Sequence, residues 1–159
     1  MTRAWVAYLD RTMGTEAVKC VLLADRHHGL SEGIRGLLES EFEAVVMVAD
    51  EASLVTSAAR LQPSVVVADL ALAQGESFGW LRRLLARCPE SRVIVLSAHD
   101  ELSVMQTAFE AGAAGFVRKR EIASQLLEAV DAVLAGERYA PPGAAVPVAV
   151  PDANKGQTD

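Results

Sequence analysis

The octapeptide Pro63-Ser64-Val65-Val66-Val67-Ala68-Asp69-Leu70 sets the architecture. Val65 to Ala68 are all apolar, so neither face of an extended chain is left for water. β-Branched side chains favour the extended backbone, and a strand apolar on both faces belongs inside a parallel sheet covered by helices. Pro63 ends whatever helix precedes the run, and Asp69 places a carboxylate where the run stops. Three runs of the same kind occur, Val21-Leu22-Leu23-Ala24, Val45-Val46-Met47-Val48 and Val93-Ile94-Val95-Leu96, with a shorter one at Gly115-Phe116-Val117. Amphipathic stretches lie between and after them. Leu30, Ile34, Leu37 and Leu38 share one helical face, as do Leu54, Ala58 and Leu61, and Leu81, Leu84 and Leu85. Leu102, Met105, Ala108 and Phe109 form a fourth set, and Ile122, Leu126, Ala129, Val130 and Val133 a fifth. Five strand–helix pairs predict an α/β fold, an open doubly wound sheet with helices on both faces.

Composition agrees with one such domain. The chain has 159 residues, a formal net charge of −6, 51% hydrophobic and 23% charged residues. That excludes a disordered chain and is long enough for a core without disulfides or metal. Cys20 and Cys88 make neither a disulfide framework nor a zinc site, which points to a reducing compartment. No apolar run approaches the roughly 18 residues of a spanning helix. A mildly acidic surface argues against generic nucleic-acid affinity. Residues 1–18 form no clear strand and read as an N-terminal extension, with Met13 as an alternative start. Pro141, Pro142, Gly143, Pro147 and Pro151 break the pattern at the other end, so 140–159 reads as a flexible tail and 19–139 as the domain.

In such a sheet, function collects at the carboxyl ends of the strands. Those ends carry Asp25-Arg26-His27-His28, Asp69, Ser97-Ala98-His99-Asp100 and Arg118-Lys119-Arg120. No phosphate-cradling glycine loop follows the first strand, and no serine sits in a nucleophile elbow. The set suits phosphoryl transfer to a carboxylate. Asp69 would form an acyl phosphate, Lys119 would balance charge on the phosphoryl oxygens, and Ser97 would hydrogen-bond one of them. A cation held by carboxylates would supply further charge. Taken singly, Asp69 reads as a loop cap and Lys119 as a solvated end residue. Suitable groups at four strand ends argue together for one site. His27 and His28 read as a solvated loop pair without zinc spacing, and Asp100 as an N-cap. Arg82, Arg83, Arg87 and Arg92 read as solvated charges rather than a nucleic-acid patch. Trp80 fits a core position and a partner contact equally well.

The motifs Val21-Leu22-Leu23-Ala24-Asp25, Pro63 to Leu70, Val93-Ile94-Val95-Leu96-Ser97-Ala98 and Ala111-Gly112-Ala113-Ala114-Gly115-Phe116-Val117-Arg118-Lys119 together resemble the receiver domains of bacterial two-component response regulators. The resemblance covers roughly 19–140 and is strongest to the subgroup that carries a C-terminal helix-turn-helix output domain. It implies a flavodoxin-like five-stranded parallel sheet of order 2-1-3-4-5. It implies Asp69 as phosphoacceptor, Lys119 as the partner lysine, Ser97 as switch hydroxyl and Phe116 as switch aromatic. It also implies Mg²⁺ held by Asp25, Asp69 and the backbone carbonyl of Ala71. The implied molecule is a cytoplasmic signalling domain rather than an enzyme. Its phosphoryl source is a sensor histidine kinase or phosphotransfer protein, and its output goes to a downstream protein partner or a second copy in a homodimer.

One position departs from the family pattern. A second acid normally follows the first strand, and here Arg26 stands in its place. The change from −1 to +1 matters, because two unit charges about 4 Å apart interact by roughly 4 kcal/mol at an effective dielectric near 20. The expected consequence is an Arg26 guanidinium that pairs with Asp69 or Asp25 and takes part of the cation's role; the alternative is an Arg26 that points to solvent beside a weakened Mg²⁺ site. The alternative reading is a pseudo-receiver, a binding module never phosphorylated because Arg26 replaces a metal-ligand acid. A small flavin-binding or hydrolytic enzyme is a third class, without the loop or triad it needs. A DNA-binding output domain needs more chain than 140–159 offers. The expectation is therefore a single-domain receiver without direct DNA binding, unless the chain is an excerpt of a longer regulator.

Overall fold

The alternation of buried runs and amphipathic stretches becomes an alternation of strands and helices. The structure, a computed structural model, describes residues 19–26, 28–72, 78–98 and 101–144. Its elements are β1 (Cys20–Ala24), α1 (His28–Leu38), β2 (Ala44–Val48), α2 (Glu51–Leu61), β3 (Val65–Asp69) and α3 (Gly79–Arg87), then β4 (Arg92–Ser97), α4 (Leu102–Glu110), β5 (Gly115–Arg118) and α5 (Ile122–Leu134). Short 3-10 turns follow β3 at Leu70–Leu72 and β5 at Lys119–Glu121. The five strands are parallel in the order β2-β1-β3-β4-β5, as the family resemblance implies.

Because side chains alternate along a strand, each run feeds two core layers. Leu22, Ala24, Val66, Ala68, Val93, Val95 and Phe116 face α2, α3 and α4, where they meet Leu54, Trp80, Leu84, Met105 and Phe109. Val21, Leu23, Val65, Val67, Ile94, Leu96 and Val117 face α1 and α5, where they meet Ile34, Leu38, Leu126, Val130 and Val133. Trp80 is therefore a core residue, only 1% exposed. Arg82, Arg83, Arg87 and Arg92 are exposed, as solvated charges are, and Arg83 pairs with Glu51 to link α3 to α2.

The structure differs from the sequence reading at several places, each for a local reason. Val45 to Val48 are only half-buried, because β2 is an edge strand with β1 as its one neighbour in the sheet. Leu61 and Leu102 keep the helical spacing yet lie exposed at a helix end, where the layer beneath runs out. The N-cap of α4 is Glu101, with an extended backbone, while Asp100 lies outside the described residues. So do residues 1–18, His27, the loop 73–77, His99 and 145–159, together with the side chain of His28. The packed chain does not stop at Tyr139. Pro141 is buried and Ala140 and Ala144 lie against the core, so 140–144 belongs to the folded unit rather than to a free tail.

The turn from α4 to β5 requires glycine. Gly112 has φ 115°, and a Cβ there would stand 2.5 Å from Leu85 Cδ1, so any side chain would meet both backbone strain and a neighbour.

Candidate phosphoacceptor site

The register of the sheet builds the site. Ala24 pairs with Ala68, so Asp25 and Asp69 end neighbouring strands at the same level. Both are almost wholly buried, 4% and 1% exposed. Ser97, fully buried, ends β4 on the other side of β3. Lys119 opens the turn after β5 and reaches back past β4, where its Nζ donates to Asp69 Oδ2 at 2.6 Å. A hydrogen bond this short between two charged groups is of the strong, charge-assisted kind. The other carboxylate oxygen, Oδ1, accepts from the Ala71 amide at 3.0 Å, an Asx-type turn that orients the side chain. Both oxygens of Asp69 are thus engaged, one by a cation and one by the backbone.

The turn carrying Lys119 is braced from both sides. Glu121 Oε1 accepts from Arg118 Nη1 at 3.3 Å and from Gln125 Nε2 at 3.1 Å. The sequence reading missed Glu121, although its spacing of three from Arg118 and four from Gln125 is the signal of such a brace. Phe116 is 2% exposed and lies in the layer of Met105 and Phe109.

The structure puts Asp25, Asp69, Ser97 and Lys119 at one edge of the sheet, as expected from their strand ends. It places Arg26 differently. That side chain is exposed, and the cation expected on Asp69 is supplied by Lys119 instead. The reason is geometric. Arg26 lies two residues beyond the end of β1, whereas Lys119, the first residue after β5, reaches across the carboxyl edge to Asp69.

The donor chemistry fits a hard divalent cation. Two buried carboxylates and the main chain at Ala71 are oxygen donors of the type Mg²⁺ takes. Among the described residues no group of three or more His, Cys, Asp or Glu comes together.

The model of the response regulator receiver domain matches residues 21–131. The chain belongs to this family. Receiver domains are phosphoacceptor signalling modules of two-component systems, not enzymes; they interact with histidine kinases and typically bind Mg²⁺. This receiver is 35% identical over 131 residues to the transcriptional activator protein ExaE of Pseudomonas putida, covering 75% of this chain and 56% of that protein. It is 32% identical over 124 residues to the transcriptional regulatory protein DegU of Brevibacillus brevis, covering 77% and 52%. The chain thus spans about half the length of the curated relatives it matches. Among solved structures, a LuxR-family two-component response regulator from Aurantimonas sp. superposes with a TM-score of 0.72 at 29% identity, covering 79% of this chain and 91% of that one. No described helix of this receiver is long and apolar enough to cross a membrane.

Proposed function

We propose that Asp69 accepts a phosphoryl group and that the receiver signals by protein–protein contact. An Asp69 carboxylate oxygen attacks phosphorus, the bond from phosphorus to the donor's leaving group breaks, and the leaving group departs with the electron pair. The donor is the phosphohistidine of a sensor kinase or phosphotransfer protein. Lys119 then balances the phosphoryl charge, and Ser97 hydrogen-bonds a phosphoryl oxygen. Asp25, Asp69 and the Ala71 carbonyl would hold Mg²⁺, which supplies further positive charge when bound. Phe116 follows Ser97 and changes rotamer, and the surface of α4, β5 and α5 binds a downstream protein or a second copy. The reading places this in the cytoplasm and gives the receiver itself no DNA contact.

The observation that carries this reading is the 2.6 Å bond from Lys119 to an Asp69 that is 1% exposed. A buried carboxylate held by a lysine, at a strand end beside a second buried acid, is a poor structural choice and a good phosphoryl acceptor. The test is intact mass after incubation with a small acyl phosphate and Mg²⁺. One added phosphoryl group that disappears in Asp69→Ala supports the reading.

Arg26, standing after β1 where the family resemblance implies a metal-ligand acid, is the ground for a second reading, a pseudo-receiver that binds partners without phosphorylation. No adduct from a small donor or from a cognate kinase, with or without Mg²⁺, is its signature. The size of the native protein in its source separates a free-standing receiver from the receiver part of a longer regulator.

A further inference from the structure

The chain after α5 returns to the sheet. Gly136, at φ 89°, ends the helix. Its amide donates to Val133 O, and that of Glu137 donates to Ala132 O, the paired bonds of a Schellman closure. The reversal brings Tyr139 to the outer edge of β5. Tyr139 pairs with Gly115 in a parallel bridge. Its amide donates to Ala114 O and its carbonyl accepts from the Phe116 amide, each at 3.0 Å. A Cβ on Gly115 would lie 3.6 Å from Tyr139 Cβ, in ordinary van der Waals contact with the segment.

Side chains fasten the segment to both flanking helices. The Arg138 guanidinium lies over the Phe109 ring of α4, 5.5 Å from its centroid. The Tyr139 hydroxyl donates to Glu128 Oε1 of α5 at 3.2 Å. Further on, the Ala144 amide donates to Pro141 O at 3.0 Å, closing a turn around the buried Pro141. Ala140 and Ala144 pack on the layer that contains Phe116 and Phe109. One short segment therefore touches α4, β5 and α5, and bonds the backbone of Phe116 itself.

We propose that Arg138–Ala144 is a strap that holds β5 in the arrangement described above and is loosened by a phosphoryl group at Asp69, with Tyr139 as a positioning residue for Phe116. The proposal rests on Asp69 being the phosphoacceptor. A shift of β5 that carries Phe116 to another rotamer alters the strand edge to which Tyr139 is bonded. The strap and a phosphoryl group at Asp69 then favour different states of one element. Such coupling is reciprocal: whatever the strap takes from phosphoryl binding, phosphoryl binding takes from the strap.

The experiment uses the full chain with beryllofluoride and Mg²⁺ as the phosphoryl probe, on wild type and on Arg138→Ala/Tyr139→Ala. The variant keeps the backbone path and loses both side-chain anchors, and it is expected to bind the probe about fivefold tighter or more, the lower end of ordinary allosteric coupling. Amide hydrogen exchange on the wild type provides a readout that needs no variant. On loading, the Tyr139 and Phe116 amides should exchange about fivefold faster or more. Unchanged or slower exchange of both amides on loading overturns the strap. So does a folded variant that binds no tighter than wild type. Failure of wild type and variant alike to bind the probe removes the phosphoacceptor reading, and the strap with it.

Discussion

Replacing Lys119 with alanine tests the site most directly, because its cost follows from the burial of what Lys119 touches. Asp69 is 1% exposed and Asp25 4%. They end neighbouring strands, which lie about 4.8 Å apart. Two carboxylates about 5 Å apart repel by roughly 3 kcal/mol at an effective dielectric near 20. Lys119, bonded to Asp69 at 2.6 Å, offsets that repulsion. Removing one partner of a buried ion pair costs about 3–5 kcal/mol. The Lys119 side chain keeps 17% of its surface in water, so solvent replaces part of what is lost. The expected loss is about 2–3 kcal/mol, below the fully buried case. The assay is urea unfolding at neutral pH followed by the fluorescence of the buried Trp80, in a Trp5→Phe background so that one indole reports. Adding Asp69→Asn to Lys119→Ala removes the stranded charge and should restore most of the stability, with an unchanged denaturant slope. A loss under about 0.5 kcal/mol would refute the electrostatic account, as would failure of Asp69→Asn to restore it.

Three other outcomes are expected. Arg26→Asp returns a carboxylate to the pocket mouth and should tighten Mg²⁺ binding about tenfold, a change that needs only about 1.4 kcal/mol; titration calorimetry showing equal affinity would mean that Arg26 does not act on the metal site. Ser31 is 2% exposed and its hydroxyl has no hydrogen-bond partner among the described residues, so Ser31→Ala, which removes the hydroxyl without adding bulk and suits a helix interior, should raise stability by about 1 kcal/mol in the same urea assay. The Tyr139 hydroxyl is pushed up to about 12, by burial first and then by the charge of Glu128. A group raised in the folded state contributes fully below its unfolded value and loses that contribution as pH rises through its folded one. The strap should therefore keep its Glu128 bond through neutral pH and lose it only in strong alkali. Ultraviolet difference titration of a Tyr8→Phe variant checks this, and a midpoint at the ordinary tyrosine value of 10.0 would contradict it.

Much of the fold was legible because a buried parallel strand has no polar face to disguise it. Val65 to Ala68 could be nothing else, and Val21 to Ala24 and Val93 to Leu96 follow the same logic. Where that reasoning failed, position in the sheet was the cause. Val45 to Val48 carry the same pattern but lie at an edge, and periodicity says nothing about which strand is outermost. Pro141 marks an end of regular structure by its chemistry, and yet the chain around it is packed. Proline forbids a helix; it does not forbid burial.

By itself, the sequence determined that strands alternate with helices and which residue stands at each strand end, since both follow from local chemistry. Only the tertiary structure decided which of those ends meet. Lys119 and Asp69 are 50 residues apart, and they bond because β4 lies between β3 and β5 with their carboxyl ends level. The same closure left Arg26 exposed while Lys119 took Asp69, and it folded Tyr139 back onto Gly115. These are contacts between segments with no local preference for one another, so their energy exists only once the sheet has formed.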